Sequence, residues 1–181
     1  MTTHVGLLRA VNLAGRNTVR SAQLRDFLTG LGLRDVRLLL QSGNMVFRSE
    51  GMPPAVLERR VEAAAVTGLG FETSCFVRTA AEWQRLVAAN PFTDQAARDP
   101  GHLVVVLLKQ PPTAGAVTAL EAAIVGREVV RTSGRQAYVV YPDGIGRSRL
   151  TSAVIEKALG TRGTARNWNT VVKLAALANA P

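Results

Sequence analysis

Short apolar runs alternate along the chain with longer stretches in which apolar residues recur every three or four positions, and this alternation defines the expected elements. Val5 to Val11 reads as a buried strand, followed by a polar loop from Asn12 to Arg20. Ser21 is placed to cap a helix with Leu24, Phe27, Leu28 and Leu31 at helical spacing, and Gly32 stops it. Val36 to Leu40 and Met45 to Phe47 read as a hairpin through Gln41-Ser42-Gly43-Asn44. Pro53 and Pro54 suit the first turn of a helix whose inward stripe is Val56, Leu57, Val61 and Ala64. Thr73 to Arg78 then completes the order strand, helix, strand, strand, helix, strand.

Thr79 with Glu82 spells a capping box for a helix through Trp83, Leu86 and Val87. Asn90-Pro91 ends it, because the residue before proline disfavours helical backbone. The loop Asn90 to Gly101 marks a boundary, and beyond it the order repeats. His102 to Leu108 is a strand, and Val117, Leu120, Glu121 and Ile124 mark a helix after Pro111-Pro112-Thr113. Glu128 to Thr132 and Ala137 to Tyr141 flank a turn at Ser133-Gly134. Leu150, Val154, Ile155, Ala158 and Leu159 belong to a helix stopped by Gly160; a short strand Thr161 to Thr164 and a helix Asn167 to Ala178 close the chain. Landmarks recur at similar spacing, His4 with His102 and Ser42-Gly43 with Ser133-Gly134. The expected fold is therefore α+β: two ferredoxin-like βαββαβ subdomains related by duplication, residues 1–90 and 91–181, the second carrying the C-terminal helix.

At 181 residues and 47% hydrophobic content the chain has ample material for a core, although aromatic residues make up only 5% and aliphatic side chains must fill it. Net charge is +9. From Arg127 onward nine basic residues stand against three acidic ones, so most of the excess lies in the last third. Such a balance attracts nucleic acid, acidic membrane surfaces or phosphorylated metabolites, and arginine-rich coding bias produces it too. Cys75 is the sole cysteine, which excludes an intramolecular disulfide and argues against structural zinc. Before Arg9 the apolar run is too short for a signal peptide or membrane span, so a cytoplasmic protein is expected.

Two polar clusters stand out. Tyr141 to Thr151 places Asp143, Gly144, Gly146, Arg147, Ser148 and Arg149 between an apolar run and a helix. Backbone amides of a glycine-bearing turn at a helix start, with Arg147 and Ser148, suit a phosphate or carboxylate. The plainer reading is a tight turn with Ser148 as a cap. No Gly-Lys-Ser/Thr ending follows, which argues against ATP hydrolysis. Arg166, Asn167, Trp168, Asn169 and Thr170 open the last helix, with Lys173 one turn on. Asn167 suits an N-cap and Trp168 an apolar anchor, while Arg166 and Asn169 are candidates to face the same pocket as Arg147. Gln41 and Asn44 carry amides able to read a base or sugar edge, although turn chemistry explains them as well. Arg9 and Asn12 at the end of the first strand join this weaker set, Arg9 being expected to find an acidic or anionic partner. His4 and His102 have no evident carboxylate or serine partner nearby in sequence, and no metal-ligand spacing is present.

Leu7-Leu8-Arg9-Ala10-Val11-Asn12, Gln41-Ser42-Gly43-Asn44, Tyr141-Pro142-Asp143-Gly144-Ile145-Gly146-Arg147-Ser148 and Arg166-Asn167-Trp168-Asn169-Thr170 resemble the motifs of a bacterial family, domain of unknown function 1697 (DUF1697). The resemblance runs from Val5 to Leu177 and implies a soluble bacterial α+β protein of two similar subdomains, with no established activity, catalytic residue or cofactor. This chain departs from the family's usual Gly-Ile-Asn at Ala10-Val11-Asn12 and has Ala14 where a second loop glycine is usual.

The functional expectation is an anionic ligand, nucleic acid or another phosphate-bearing molecule, bound at helix N-termini of the C-terminal subdomain. The alternative is an enzyme acting on a small phosphorylated metabolite, with Arg147, Ser148, Arg166 and Asn169 holding the phosphate and Asp143 as acid or base. A scaffold role is the third reading. Oligomeric state is left open.

Overall fold

The computed structural model describes residues 1–12 and 17–180, so the expected loop position Ala14 lies outside the described residues. The fold is mixed α+β, with two four-stranded antiparallel sheets and seven α-helices among the described residues. Its compact units are the chain up to Arg85 together with the stretch from Lys173 on, and Leu86–Val172.

In the first unit, β1 (Thr2–Leu8), β2 (Arg34–Leu39), β3 (Asn44–Ser49) and β4 (Cys75–Thr79) lie in the order β2-β3-β1-β4. Central β1 is buried from His4 to Leu8, which explains its unbroken apolar run. It ends three residues earlier than the sequence suggests. Ala10 and Asn12 turn into the left-handed region, with φ 58° and 54°, and take Arg9 to Val11 out of the sheet. Helix α1 (Ser21–Gly30) buries Leu24 and Leu28. Arg20, not Ser21, occupies its N-cap, and no side chain caps it. Helix α2 (Pro54–Leu69) lays Leu57, Val61, Ala65 and Leu69 on the same core, then stops at left-handed Gly70. The β2–β3 hairpin needs Gly43: its φ is +71°, and a Cβ there would stand 2.9 Å from Leu8 Cβ.

Thr79 and Glu82 form the expected capping box at the start of α3 (Ala80–Ala88): Thr79 N–H donates to Glu82 Oε2 at 2.8 Å, and Glu82 N–H donates to Thr79 Oγ1 at 3.1 Å. The segment expected to be a plain loop contains α4 (Thr93–Arg98) and a 3₁₀ turn, Pro100–His102. Asn90 Oδ1 accepts the Phe92 N–H and turns the chain just ahead of α4.

In the second unit, β5 (Leu103–Leu108), β6 (Val129–Ser133), β7 (Gln136–Val140) and β8 (Gly163–Asn167) lie in the order β6-β7-β5-β8, and α5 (Ala114–Ala122) and α6 (Ser152–Leu159) share their core. Thr113 and Thr151 cap these helices through Ala116 N–H and Val154 N–H. Leu150 is buried ahead of α6, not on it. The last strand runs to Asn167, three residues beyond its expected end. Asn167 Oδ1 accepts the Thr170 N–H at 3.0 Å and α7 (Trp168–Asn179) begins there, the cap read from the sequence.

Candidate functional site

One end of the second sheet gathers the charged groups. There β7 runs out at Val140, opposite Leu103 where β5 begins, and Tyr141 N–H donates to the His102 carbonyl at 2.9 Å. The chain then turns through Asp143 and Gly144, makes a 3₁₀ turn at Ile145–Arg147, and reaches α6 only at Ser152. This corrects the expected helix-entrance cradle. Gly144, Arg147 and Ser148 N–H groups already donate to Tyr141, Gly144 and Ile145 carbonyls, so they close the turn instead of facing a ligand. Gly146 is exposed and open.

Side chains, not amides, define the site. Asp143, Arg147, Ser148 and Arg149 line a cleft of about 220 Å³ with Val125, Gly126 and Glu128. Both arginine side chains are exposed, with no hydrogen bond or ion pair among the described residues. Each carboxylate of the cleft has a partner. Arg127 grips Asp143 through Nε, at 3.1 Å to Oδ2, and through its terminal nitrogen to Oδ1. That hydrogen-bonded pair holds the Asp143 carboxyl below its usual range, with the charges of Arg127, Arg147 and His102 adding to it, and raises the Arg127 guanidinium. Asp143 is thus a committed anion, a poor choice for the acid or base expected of it. Glu128 accepts the Ser148 hydroxyl, which depresses its carboxyl, while Ser148 Oγ accepts the Leu150 N–H at 2.9 Å.

The second cluster does not join this cleft. Arg166 lies on β8 opposite Val105, and its guanidinium donates to Thr164 Oγ1 at 3.0 Å and to the Ala165 carbonyl at 2.8 Å. Desolvation pushes it down to about 10. Asn167 is spent on its cap, and Asn169 is exposed on the first turn of α7. Lys173 is exposed and belongs to the first unit.

The first-unit candidates serve the backbone around them. Asn12 Nδ2 donates to the carbonyls of Val19 and Gln41, and Asn12 Oδ1 accepts the Val19 N–H at 2.8 Å. Buried Asn44 donates to Leu39 O and Ser42 Oγ across its own hairpin. Gln41 keeps an exposed side chain, and Arg9 is half-buried just past β1 with its N–H on the Ser74 carbonyl.

Sequence reasoning missed both histidine partners. His102 Nδ1 is 2.6 Å from Asp99 Oδ2, a pair three residues apart on the 3₁₀ turn whose Asp-x-x-His spacing is legible in the chain. His4 Nε2 is 3.0 Å from Ser49 Oγ, both buried, and its ring stacks on Phe47; that meeting depends on the β1–β3 register. Cys75 is a buried free thiol. No group of three or more His, Cys, Asp or Glu side chains able to hold a metal occurs among the described residues, and no described helix is long and apolar enough to cross a membrane.

Fold and site together define an α+β protein with an exposed arginine turn at one end of its second sheet. The chain belongs to the family described as protein of unknown function (DUF1697), whose model matches residues 1–138. A solved structure with the same fold is that of the conserved bacterial protein SP0830 from Streptococcus pneumoniae: TM-score 0.78, 21% identity, 98% of this chain and 99% of that one covered. None of the curated proteins matches the sequence.

Proposed function

We propose that the protein binds an anionic ligand, nucleic acid or another phosphate-bearing molecule, on the Asp143–Arg149 turn of the second unit. The observation that carries this reading is the pair Arg147 and Arg149, exposed and unpartnered among the described residues, beside a cleft whose carboxylates are already engaged by Arg127 and Ser148. A guanidinium without a carboxylate is free to meet phosphate oxygens in its bidentate fork. Cleft size favours nucleic acid over a small metabolite. About 220 Å³ is below the ~300–1,000 Å³ of pockets that enclose small molecules, yet it admits one phosphate of a strand lying across the surface.

Identical strand order in the two sheets and the matching order of strands and helices support reading residues 1–90 and 91–181 as duplicated ferredoxin-like subdomains.

The test is fluorescence anisotropy with a labelled single-stranded oligonucleotide across a salt series. Log affinity falls with log salt by about 0.7 for each phosphate neutralised. Arg147→Ala and Arg149→Ala each weaken binding and flatten that slope by about one contact's worth. A salt-independent signal, or full binding by the double variant, overturns the reading.

A further inference from the structure

The Asp99–His102 pair is the strongest chemical device that the anion site does not use. His102 is pinned through its main chain on both sides: its N–H donates to the Asp99 carbonyl at 3.2 Å, and its carbonyl accepts the Tyr141 N–H at 2.9 Å. Its ring is therefore presented at a defined place, where β5 begins and β7 ends. Asp99 Oδ2 lies 2.6 Å from Nδ1, so a ring that donates its Nδ1 proton there carries its lone pair on Nε2. Nε2 faces the Asp143–Gly144 turn, and a Cβ on Gly144 would lie 3.5 Å from it. Unlike buried His4, the His102 and Asp99 side chains are 42% and 49% exposed, so water and ligand reach the ring. Asp143, the neighbour of Gly144, lines the same cleft as Arg147 and Arg149, which puts the ring beside one end of the arginine turn. A base, a group that orients it and cations for developing charge are the parts of a hydrolytic site. Ser148 is held by Glu128, so the nucleophile is water.

We propose that His102, positioned by Asp99, is the general base for hydrolysis of a phosphate diester bound at the Asp143–Arg149 turn. Nε2 takes one proton from water as its oxygen bonds to phosphorus. The P–O bond to the leaving group breaks, and the proton passes from Nε2 to the departing oxygen, giving a monoester and an alcohol. Arg147 and Arg149 offset the charge on the non-bridging oxygens. Asp99 acts through His102 and is a positioning residue. The proposal rests on the anion-binding reading.

The experiment follows nitrophenolate release from bis(p-nitrophenyl) phosphate across a pH series, alongside anisotropy with the labelled oligonucleotide, for the wild type, His102→Gln and Asp99→Asn. Expected are turnover by the wild type, a loss of about 100-fold or more in His102→Gln with oligonucleotide binding kept, and a smaller loss in Asp99→Asn. Nitrogen-15 NMR of the ring is expected to report a protonated Nδ1 in the wild type and a changed tautomer balance in Asp99→Asn. Oligonucleotide binding without turnover, equal turnover in His102→Gln, or a wild-type ring protonated on Nε2 alone overturns the base role and leaves the anion site standing. Neither binding nor turnover overturns both.

Discussion

Glu58 Oε1 accepts the Val77 N–H at 2.8 Å, placing a helix carboxylate on the outer edge of β4. It is one of three. Glu62, one turn further along α2, takes the Cys75 N–H at 2.7 Å, and Glu82 of the capping box takes the Thr79 N–H at 2.8 Å. Alternate amides of an edge strand point outward and invite another strand. Here each of the three is filled by a carboxylate, so the edge is closed to pairing. On β8, Glu156 fills the corresponding place at Gly163, at 2.9 Å.

Glu58 also lies 3.5 Å from the Arg78 guanidinium, with both side chains nearly inaccessible. Glu58→Ala leaves a buried cation without its carboxylate and a strand amide without its acceptor. The expected loss is about 3–5 kcal/mol of unfolding free energy, read from urea denaturation. Glu58→Gln keeps an acceptor for Val77 and is expected to lose less.

Removing all three edge carboxylates (Glu58→Ala, Glu62→Ala, Glu82→Ala) uncovers the row of amides. Association that rises with protein concentration is the expected result, measured by sedimentation velocity against the wild type. A triple variant that stays folded and sediments as the wild type does would show that another feature protects the edge.

His4 ties stability to pH. Burial lowers its pKa below the usual 6.5, against a smaller opposing pull from the Glu82 carboxylate. The folded protein keeps the ring neutral while the unfolded chain takes up a proton near pH 6.5. Its contribution is therefore complete above that value and is lost as pH falls through the interval below it, by at most about 1.4 kcal/mol per pH unit. Denaturation midpoints at pH 7.5 and 5.5 measure the effect, and His4→Gln is expected to flatten the difference.

Asn44 separates structural from functional amides. Its side chain is 1% exposed and spans the hairpin to Leu39 O and Ser42 Oγ. Asn44→Ala is expected to destabilise by about 1–3 kcal/mol and leave oligonucleotide affinity unchanged. Thermal unfolding and anisotropy on one preparation distinguish this from a ligand contact.

Arg127 gives a complementary test. With Arg127→Ala, Asp143 becomes a free anion beside Arg147, and oligonucleotide affinity is expected to fall although Arg127 is outside the cleft wall. Asp143→Asn in the same background is expected to restore part of the loss.

Local chemistry made most of the elements legible. Leu57 and Val61 fall on one helix face, Thr79 and Glu82 cap one another, and Gly160 stops α6 at φ 63°, because each relation spans one or two turns of chain. The same locality made the polar clusters visible and hid what they do. Whether Asp143 is free or gripped by Arg127, whether Arg166 faces the cleft or its own strand, and whether Glu58 meets β4 depend on residues brought together by sheet register and helix packing. Side-chain period along a strand sets which face a residue takes, but pairing between strands chooses its neighbours. The sequence therefore determined the succession of helices and strands and the place of the basic excess, and the tertiary structure decided which of those charges were left without partners.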